Sequence, residues 1–296
     1  MLTGLTSTPA QLAPAAGSLI HRLSLRPPAL PNSLAGLTIL HLSDLHVRRP
    51  RKRYEKLLAE LAALPDPPDL LALTGDYMCR IGDEPIAYEM LKRILHTVQP
   101  RIGAFGVFGN HDSPAMRRRV DHLPVHWLGA DQPWCGGGGD EPHADKRAND
   151  LCLIGVDCGF CNYDADLLQS LLGRSVDPQH PRFSIALSHL PHYLPGIADA
   201  GIDLLLAGHT HGGQCRLPGG VVLHGGYGDW PLRLCTGVLR MRNTLAVINR
   251  GLGEAKMDGL RLFCPPHALL ITLEAPQAMS HTAPPPTADI ATLIRW

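Results

Sequence analysis

The chain has 296 residues, 45% of them apolar, enough to bury a full core as one large α/β domain or two small ones. Its 27 basic and 27 acidic residues cancel, so no net field recruits nucleic acid or a membrane, and no nucleic-acid partner is expected. No apolar run reaches the roughly 18–20 residues of a membrane span, and no Lys or Arg precedes Arg22 to make the charged start of a secretory signal.

Without such a signal, the eight scattered cysteines read as reduced thiols and the chain as cytoplasmic. Residues 1–33 read as a lead-in to a main domain over 34–275. The mildly apolar stretch 10–25 is either loosely ordered, as Pro14 and Gly17 favour, or a strip lying peripherally on the inner membrane. Residues 37–42 read as a first strand ending in Ser43-Asp44-Leu45-His46. A basic cluster from Arg48 to Arg53 precedes an amphipathic helix, with leucines at 57, 58, 61 and 64, that Pro65-Asp66-Pro67-Pro68 stops. The second strand, 70–74, ends in Gly75-Asp76. A helix from Pro85 to Val98 follows, with proline in its first turn. The third strand, 104–108, ends in Gly109-Asn110-His111-Asp112; a short helix from Pro114 and a strand near 125–128 come next.

Residues 136–150, with four glycines and mixed charges, read as a hairpin loop between Trp134 and a strand at 151–156. Cys158-Gly159-Phe160-Cys161 is half of a zinc knuckle or a buried pair, and the lack of a second such motif favours the pair. Asp164 opens a helix to about Leu172. Strand 183–187 ends in Ser188-His189, and strand 203–207 runs into Gly208-His209-Thr210-His211-Gly212-Gly213-Gln214. Further strands are expected at 221–224, 245–249 and 268–273. The tail 276–296, with Pro284-Pro285-Pro286, reads as disordered.

Five strands thus end in polar, ionisable clusters, and in α/β sheets ligands collect at the carboxyl ends of strands. Asp44, His46, Asp76, Asn110, His189, His209 and His211 are too many ligands for one zinc, which takes three or four. They suit two divalent ions sharing a carboxylate. The mixture of carboxylate, amide and imidazole accepts Mn, Fe, Zn, Co or Mg alike. Two such ions activate a water and clamp the oxygens of an in-line displacement, which is most of what phosphoryl transfer needs.

In this order, Asp44-x-His46, Gly75-Asp76, Gly109-Asn110-His111-Asp112, His189 and Gly208-His209-Thr210-His211 resemble the calcineurin-like metallophosphoesterase family over about residues 34 to 274. The extended Gly208–Gln214 block, with Asn249-Arg250-Gly251-Leu252-Gly253 and Arg261-Leu262-Phe263-Cys264-Pro265-Pro266, is similar to a bacterial branch of YaeI- and YkuE-type phosphodiesterases. The resemblance implies an α/β fold, a two-sheet β-sandwich flanked by helices, with a dimetal site at strand ends. It implies Asp44, His46 and His211 on one ion, Asn110, His189 and His209 on the other, and Asp76 bridging. His111 would face the phosphate as general acid or transition-state stabiliser, with Asp112 orienting its imidazole.

The implied activity is metal-dependent hydrolysis of a phosphodiester or pyrophosphate by a hydroxide shared between the ions, Mn, Fe or Zn. The substrate is a small phosphorylated molecule, with a lipid-linked one among the candidates. A phosphomonoesterase and a catalytically silent scaffold of the same fold are the alternatives. The chain departs from the family at Tyr77-Met78-Cys79-Arg80, where an acidic residue is frequent, and at His192, where Asp is. Arg250 reads as a phosphate contact or a surface salt bridge. The cluster Arg48–Arg53 reads as a rim that steers substrate or as a solvated helix start.

Overall fold

The computed structural model describes residues 10–13, 17–129, 132–136, 144–156, 158, 182–223, 230–255, 260–275 and 290–296. Among these residues, fourteen strands make two seven-stranded sheets. The first contains β1 (Ala10–Ala13), β2 (Ile20–Leu25), β3 (Thr38–Leu42), β4 (Leu70–Thr74), β5 (Gly103–Val107), β6 (His126–Trp127) and β13 (Ala268–Leu273), in the order β1-β2-β13-β3-β4-β5-β6. The second contains β7 (Trp134–Cys135), β8 (Leu151–Val156), β9 (Phe183–Ser188), β10 (Leu204–Ala207), β11 (Gly237–Met241), β12 (Thr244–Ile248) and β14 (Ala291–Ile294), in the order β14-β11-β12-β10-β9-β8-β7.

The layering follows from side chains alternating along each strand. Ile39, Leu70, Ala72, Phe105 and Val107 of the first sheet meet Phe183, Ile185, Leu187, Leu204, Leu206, Leu245 and Val247 of the second. Their alternates in the first sheet, Leu40, Leu42, Leu71 and Leu73, pack outward against helices α1 (Lys52–Ala62), α2 (Glu84–Val98) and α3 (Pro114–Val120). On the far side, Leu205, Ala207, Ala246 and Ile248 pack under α4 (Leu194–Asp199). Strands buried on both faces read as unbroken apolar runs, which is why β3, β4, β5, β9 and β10 were visible without a period-two pattern.

Within the first sheet β3, β4, β5 and β6 run parallel, and within the second β8, β9, β10 and β12 do. Each parallel set therefore delivers its strand ends to one edge, which gathers the ionisable clusters.

Several expectations need correcting. The lead-in is not loose: β2 pairs in parallel with β13 and buries Leu23 and Leu25 in the core between the sheets, while β1 pairs with β2. Gly17 falls in the connection between β1 and β2, where it interrupts no ladder, and Pro14 lies outside the described residues. The end of the tail belongs to the fold, because β14 pairs with β11. The expected strand at 221–224 reduces to a single bridge between Arg216 and Val222 among its described residues. In its place β11 forms, its Gly237 and Arg240 having hidden it from pattern reading.

The thiols are not all reduced either. Cys135 and Cys152 stand opposite each other in the β7–β8 pair, with Cα atoms 4.1 Å apart, and are joined as a disulfide. Cross-strand neighbours come close enough to bond, and such bonds persist in oxidising compartments, so the cysteines give no support to a reducing one. The expected helix from Asp164 and the Cys158/Cys161 pair lie wholly or partly outside the described residues. Among the described residues no helix is long and apolar enough to cross a membrane.

Candidate metal centre

The expected ligands sit on the turns that leave β3, β4, β5, β9 and β10. Nine described non-glycine residues have positive φ, and five of them are Asp44, His46, Asp76, His209 and His211, at +44° to +68°. Each such conformation costs about 1–3 kcal/mol and persists only where its surroundings impose it. The surroundings here are backbone: Asp44 N–H donates to Gly75 O and His46 N–H to Asp76 O, both at 2.9 Å. Gly208 meets a tighter limit, since a Cβ there would run into Ser43 Oγ and Asp44 Oδ2. Its amide neighbour, His209 N–H, donates to both Asp44 oxygens, at 3.1 and 3.0 Å.

Two donor groups result, and Asp76 belongs to both. Asp44, His46, Asp76 and His211 form one and Asp76, His189 and His209 the other, with the donor atoms of each group within 4.8 Å of one another. In the first, His46 Nε2 lies 3.1 Å from His211 Nε2 and 3.3 Å from Asp76 Oδ2, and His211 Nε2 lies 3.3 Å from Asp44 Oδ1. In the second, His189 Nε2 lies 3.2 Å from Asp76 Oδ2, 3.2 Å from His209 Nδ1 and 3.1 Å from Asn110 Oδ1. The Asn110 amide oxygen thereby completes the expected set of seven.

This chemistry fits a pair of divalent ions. Ligands about 2.0–2.2 Å from a metal stand about 3 Å from one another, the spacing these atoms have. His189 Nδ1 faces Thr74 O at 2.7 Å and donates to it, which leaves the Nε2 lone pair aimed at Asp76 and Asn110. His211 is the exception. Its Nδ1 lies 3.2 Å from Arg261 Nη2, a donor, and accepting there would place the ring proton on Nε2. Arg261 has carbonyl acceptors at Arg250 and Gly251 to hold it when the ring yields.

The metal-free electrostatics describe a site where protons occupy the place of cations. Burial pushes the Asp76 carboxyl up, but the facing His189 and His46 rings outweigh it and hold it well below the carboxylate range. Burial lowers His46 and His189, yet Asp76 raises them to about 10 and about 9. Burial raises Asp44. Burial and the neighbouring His189 depress His209 to about 3, and burial with His46 and Arg261 depresses His211 well below the imidazole range.

One expected role changes. Asp112 does not orient His111: its oxygens accept the backbone N–H groups of Asp76, Tyr77 and Gly109, each at 2.8 Å, and of Met78 at 3.4 Å, and so tie the β4 turn to the β5 turn. The imidazole is held instead by Cys79 O, 2.7 Å from His111 Nδ1, while the backbone N–H of His111 donates to Asp76 Oδ1 at 2.8 Å. Arg250 is 7% exposed and so makes no surface salt bridge; it packs with Arg216 and Cys264 around Gly212, and its Nε is buried without a partner among the described residues.

Other residues surround the two donor groups. The Cys79 thiol lies within 4.8 Å of donor atoms of His46 and His111. Gln214 donates to Leu260 O at 3.1 Å and accepts from Ala255 N–H at 3.2 Å. Asn249 donates to His41 O and accepts from Gly251 N–H, at 3.1 and 2.8 Å. His41 itself packs against Thr74 Oγ1 at 2.9 Å and joins neither group. Arg51 and Arg53 of the basic cluster are paired with Glu254, which leaves less of that cluster to steer a substrate.

The calcineurin-like phosphoesterase family profile matches residues 37–213, more than half of the chain. The chain is 29% identical over 182 residues to the metallophosphoesterase YkoQ of Bacillus subtilis, covering 62% of this chain and 63% of YkoQ. It is 26% identical over 250 residues to the phosphodiesterase YaeI of Escherichia coli, covering 82% of this chain and 84% of that one. It is 25% identical over 281 residues to the UDP-2,3-diacylglucosamine pyrophosphatase LpxG of Chlamydia trachomatis, covering 80% and 84%.

Proposed function

This chain belongs to the calcineurin-like phosphoesterase family, and we propose that it hydrolyses a phosphodiester or pyrophosphate bond at a two-ion centre. The observation that carries the reading is the position of Asp76 in both donor groups. Asp44, His46 and His211 would hold one ion, Asn110, His189 and His209 the other, and Asp76 both. Two divalent ions so held supply a water of lowered pKa and neutralise charge on the phosphoryl oxygens.

The chain's own groups do the rest. His111 is half-buried, with Nδ1–H donating to Cys79 O, so the imidazolium form is the one that can give an Nε2 proton to the departing oxygen and is left neutral by doing so. Asp112 positions the backbone of Asp76 rather than touching substrate. Two relatives support a substrate with a second substituent on the phosphate: YaeI is named a phosphodiesterase and LpxG a pyrophosphatase acting on a nucleotide-linked diacyl sugar. A lipid-linked diester or pyrophosphate is the substrate class they favour.

The test is turnover of a bis-aryl phosphodiester, an aryl phosphomonoester and a nucleoside diphosphate ester by protein loaded in turn with manganese, iron and zinc. The expected result is hydrolysis of the diester or pyrophosphate, loss on chelation, and a fall in kcat of roughly hundredfold or more in His111→Ala. Faster cleavage of the monoester, or a variant as active as wild type, would overturn the reading.

A further inference from the structure

Eight large apolar side chains are exposed among the described residues, and six of them are Leu217, Val221, Leu223, Leu260, Leu262 and Phe263. They gather in one small structure beside the loop of His209 and His211. Residues 214–223 fold back on themselves: Leu217 N–H donates to Val221 O at 2.8 Å and Leu223 N–H to Cys215 O at 3.1 Å, with Arg216 bridging Val222. Leu262 joins as a third line, bridging Cys215 in parallel, with Arg216 N–H on Leu262 O at 2.8 Å. Side chains alternate across such a ladder. Leu217, Val221 and Leu223 therefore share a face with Leu262. Val222 turns to the other side, where it packs on Gly213.

Charge is distributed just as unevenly. Residues 212–223, 230–236, 260–267 and 290–296 contain no Asp or Glu and four arginines, of which Arg233 and Arg295 are exposed while Arg216 is buried and Arg261 turns inward to His211. Arg216, Arg233 and Arg295 line a cleft of about 270 Å³ with Val221, Val222 and Leu232. Arg216 forms its floor, fixed by Gly212 O at 2.6 Å, while Arg233 and Arg295 are exposed at its rim.

We propose that this face seats the protein on a bilayer containing anionic phospholipid. The leucines and Phe263 enter the boundary between headgroups and acyl chains, where an exposed apolar patch gains by burial. The arginine-lined cleft takes a headgroup phosphate, which a guanidinium can hold by two oxygens at once. The two exposed arginines, Arg233 and Arg295, with no acid in these segments, favour an anionic surface over a neutral or cationic one. Because Gln214 follows His211 by three residues, docking also brings the donor groups to the membrane surface. Only this last consequence, that the bilayer supplies the phosphorylated substrate, rests on the hydrolase reading.

The experiment is co-sedimentation of the full chain with vesicles of phosphatidylcholine alone or mixed with phosphatidylglycerol. Binding is expected to the mixed vesicles and to weaken with salt. The pair Leu217→Ser/Leu223→Ser should lower partitioning on the order of tenfold, as should Arg233→Gln/Arg295→Gln. Each variant is checked for an unchanged unfolding midpoint, so that lost binding is not lost fold. No binding to mixed vesicles, equal binding to phosphatidylcholine alone, or folded variants that bind like wild type would each overturn the proposal. So would self-association in solution that the leucine variant abolishes, since the face would then meet a second copy of the chain. Vesicle binding without turnover of soluble esters would sink the hydrolase reading and leave the docking face standing; turnover without vesicle binding would do the reverse.

Discussion

Asp112 accepts from four backbone amides, and an asparagine in its place has one oxygen to offer them. Asp112→Asn should therefore cost about 1–3 kcal/mol of stability, read from urea unfolding, by leaving a buried amide unsatisfied. Activity should fall roughly 10–100-fold, and adding His111→Ala should cost as much as it does in wild type, because the residue acts on the Asp76 turn and not on the imidazole. A double variant no less active than His111→Ala alone would return Asp112 to the role that adjacency suggested. Adjacency misled because the turn points the carboxylate back at four N–H groups while the neighbouring ring points to Cys79 O. The ligand types were legible in the sequence; their directions were not. The same holds for Arg250, whose place between Asn249 and Gly251 says nothing of the enclosure made by Gly212, Arg216 and Cys264.

The pairing of Asp76 with His46 and His189 sets a pH dependence for the metal-free protein. Both histidines have folded pKa values above the ordinary 6.5, at about 10 and about 9. Their contribution to stability is full below 6.5 and is lost as pH rises through those folded values. The unfolding temperature of chelated protein should fall between about pH 7 and 10, and the metal-loaded protein should show less of that slope because binding displaces those protons. A flat profile for the chelated protein would show that the pairs do not hold protons.

At the scale of elements, the β7–β8 pair offers a separate check. Its disulfide closes a sequence separation of 17 residues. Loop-closure entropy for a ring of that size is worth about 3 kcal/mol. Reduction, or Cys135→Ser, should lower unfolding free energy by about 2–3 kcal/mol in a urea titration; no change would mean the bond does not form in solution. The strands buried on both faces were legible because an unbroken apolar run needs no partner to be recognised. β2, with Ile20, Leu23 and Leu25 among polar residues, and the short β11 gain their definition from β13 and β12 beside them, information a local pattern does not carry.

At the scale of the molecule, two parallel strand sets present their ends to one another, and the clusters distant in sequence become one centre. His189 comes within 3.1 Å of Asn110 across the interface between sheets, and His46 within 3.1 Å of His211. That convergence was legible from the order of blocks, because five strand ends with the same chemistry imply a common edge. What was not legible was how far the fold extends: the chain's first and last described strands complete the two sheets. The most direct measurement is metal content and turnover in wild type and Asp76→Ala. Wild type should hold two divalent ions per chain, and the variant, at unchanged fold, should lose at least one of them and its phosphoesterase activity. Two ions and wild-type turnover in Asp76→Ala would contradict a centre built on that shared carboxylate.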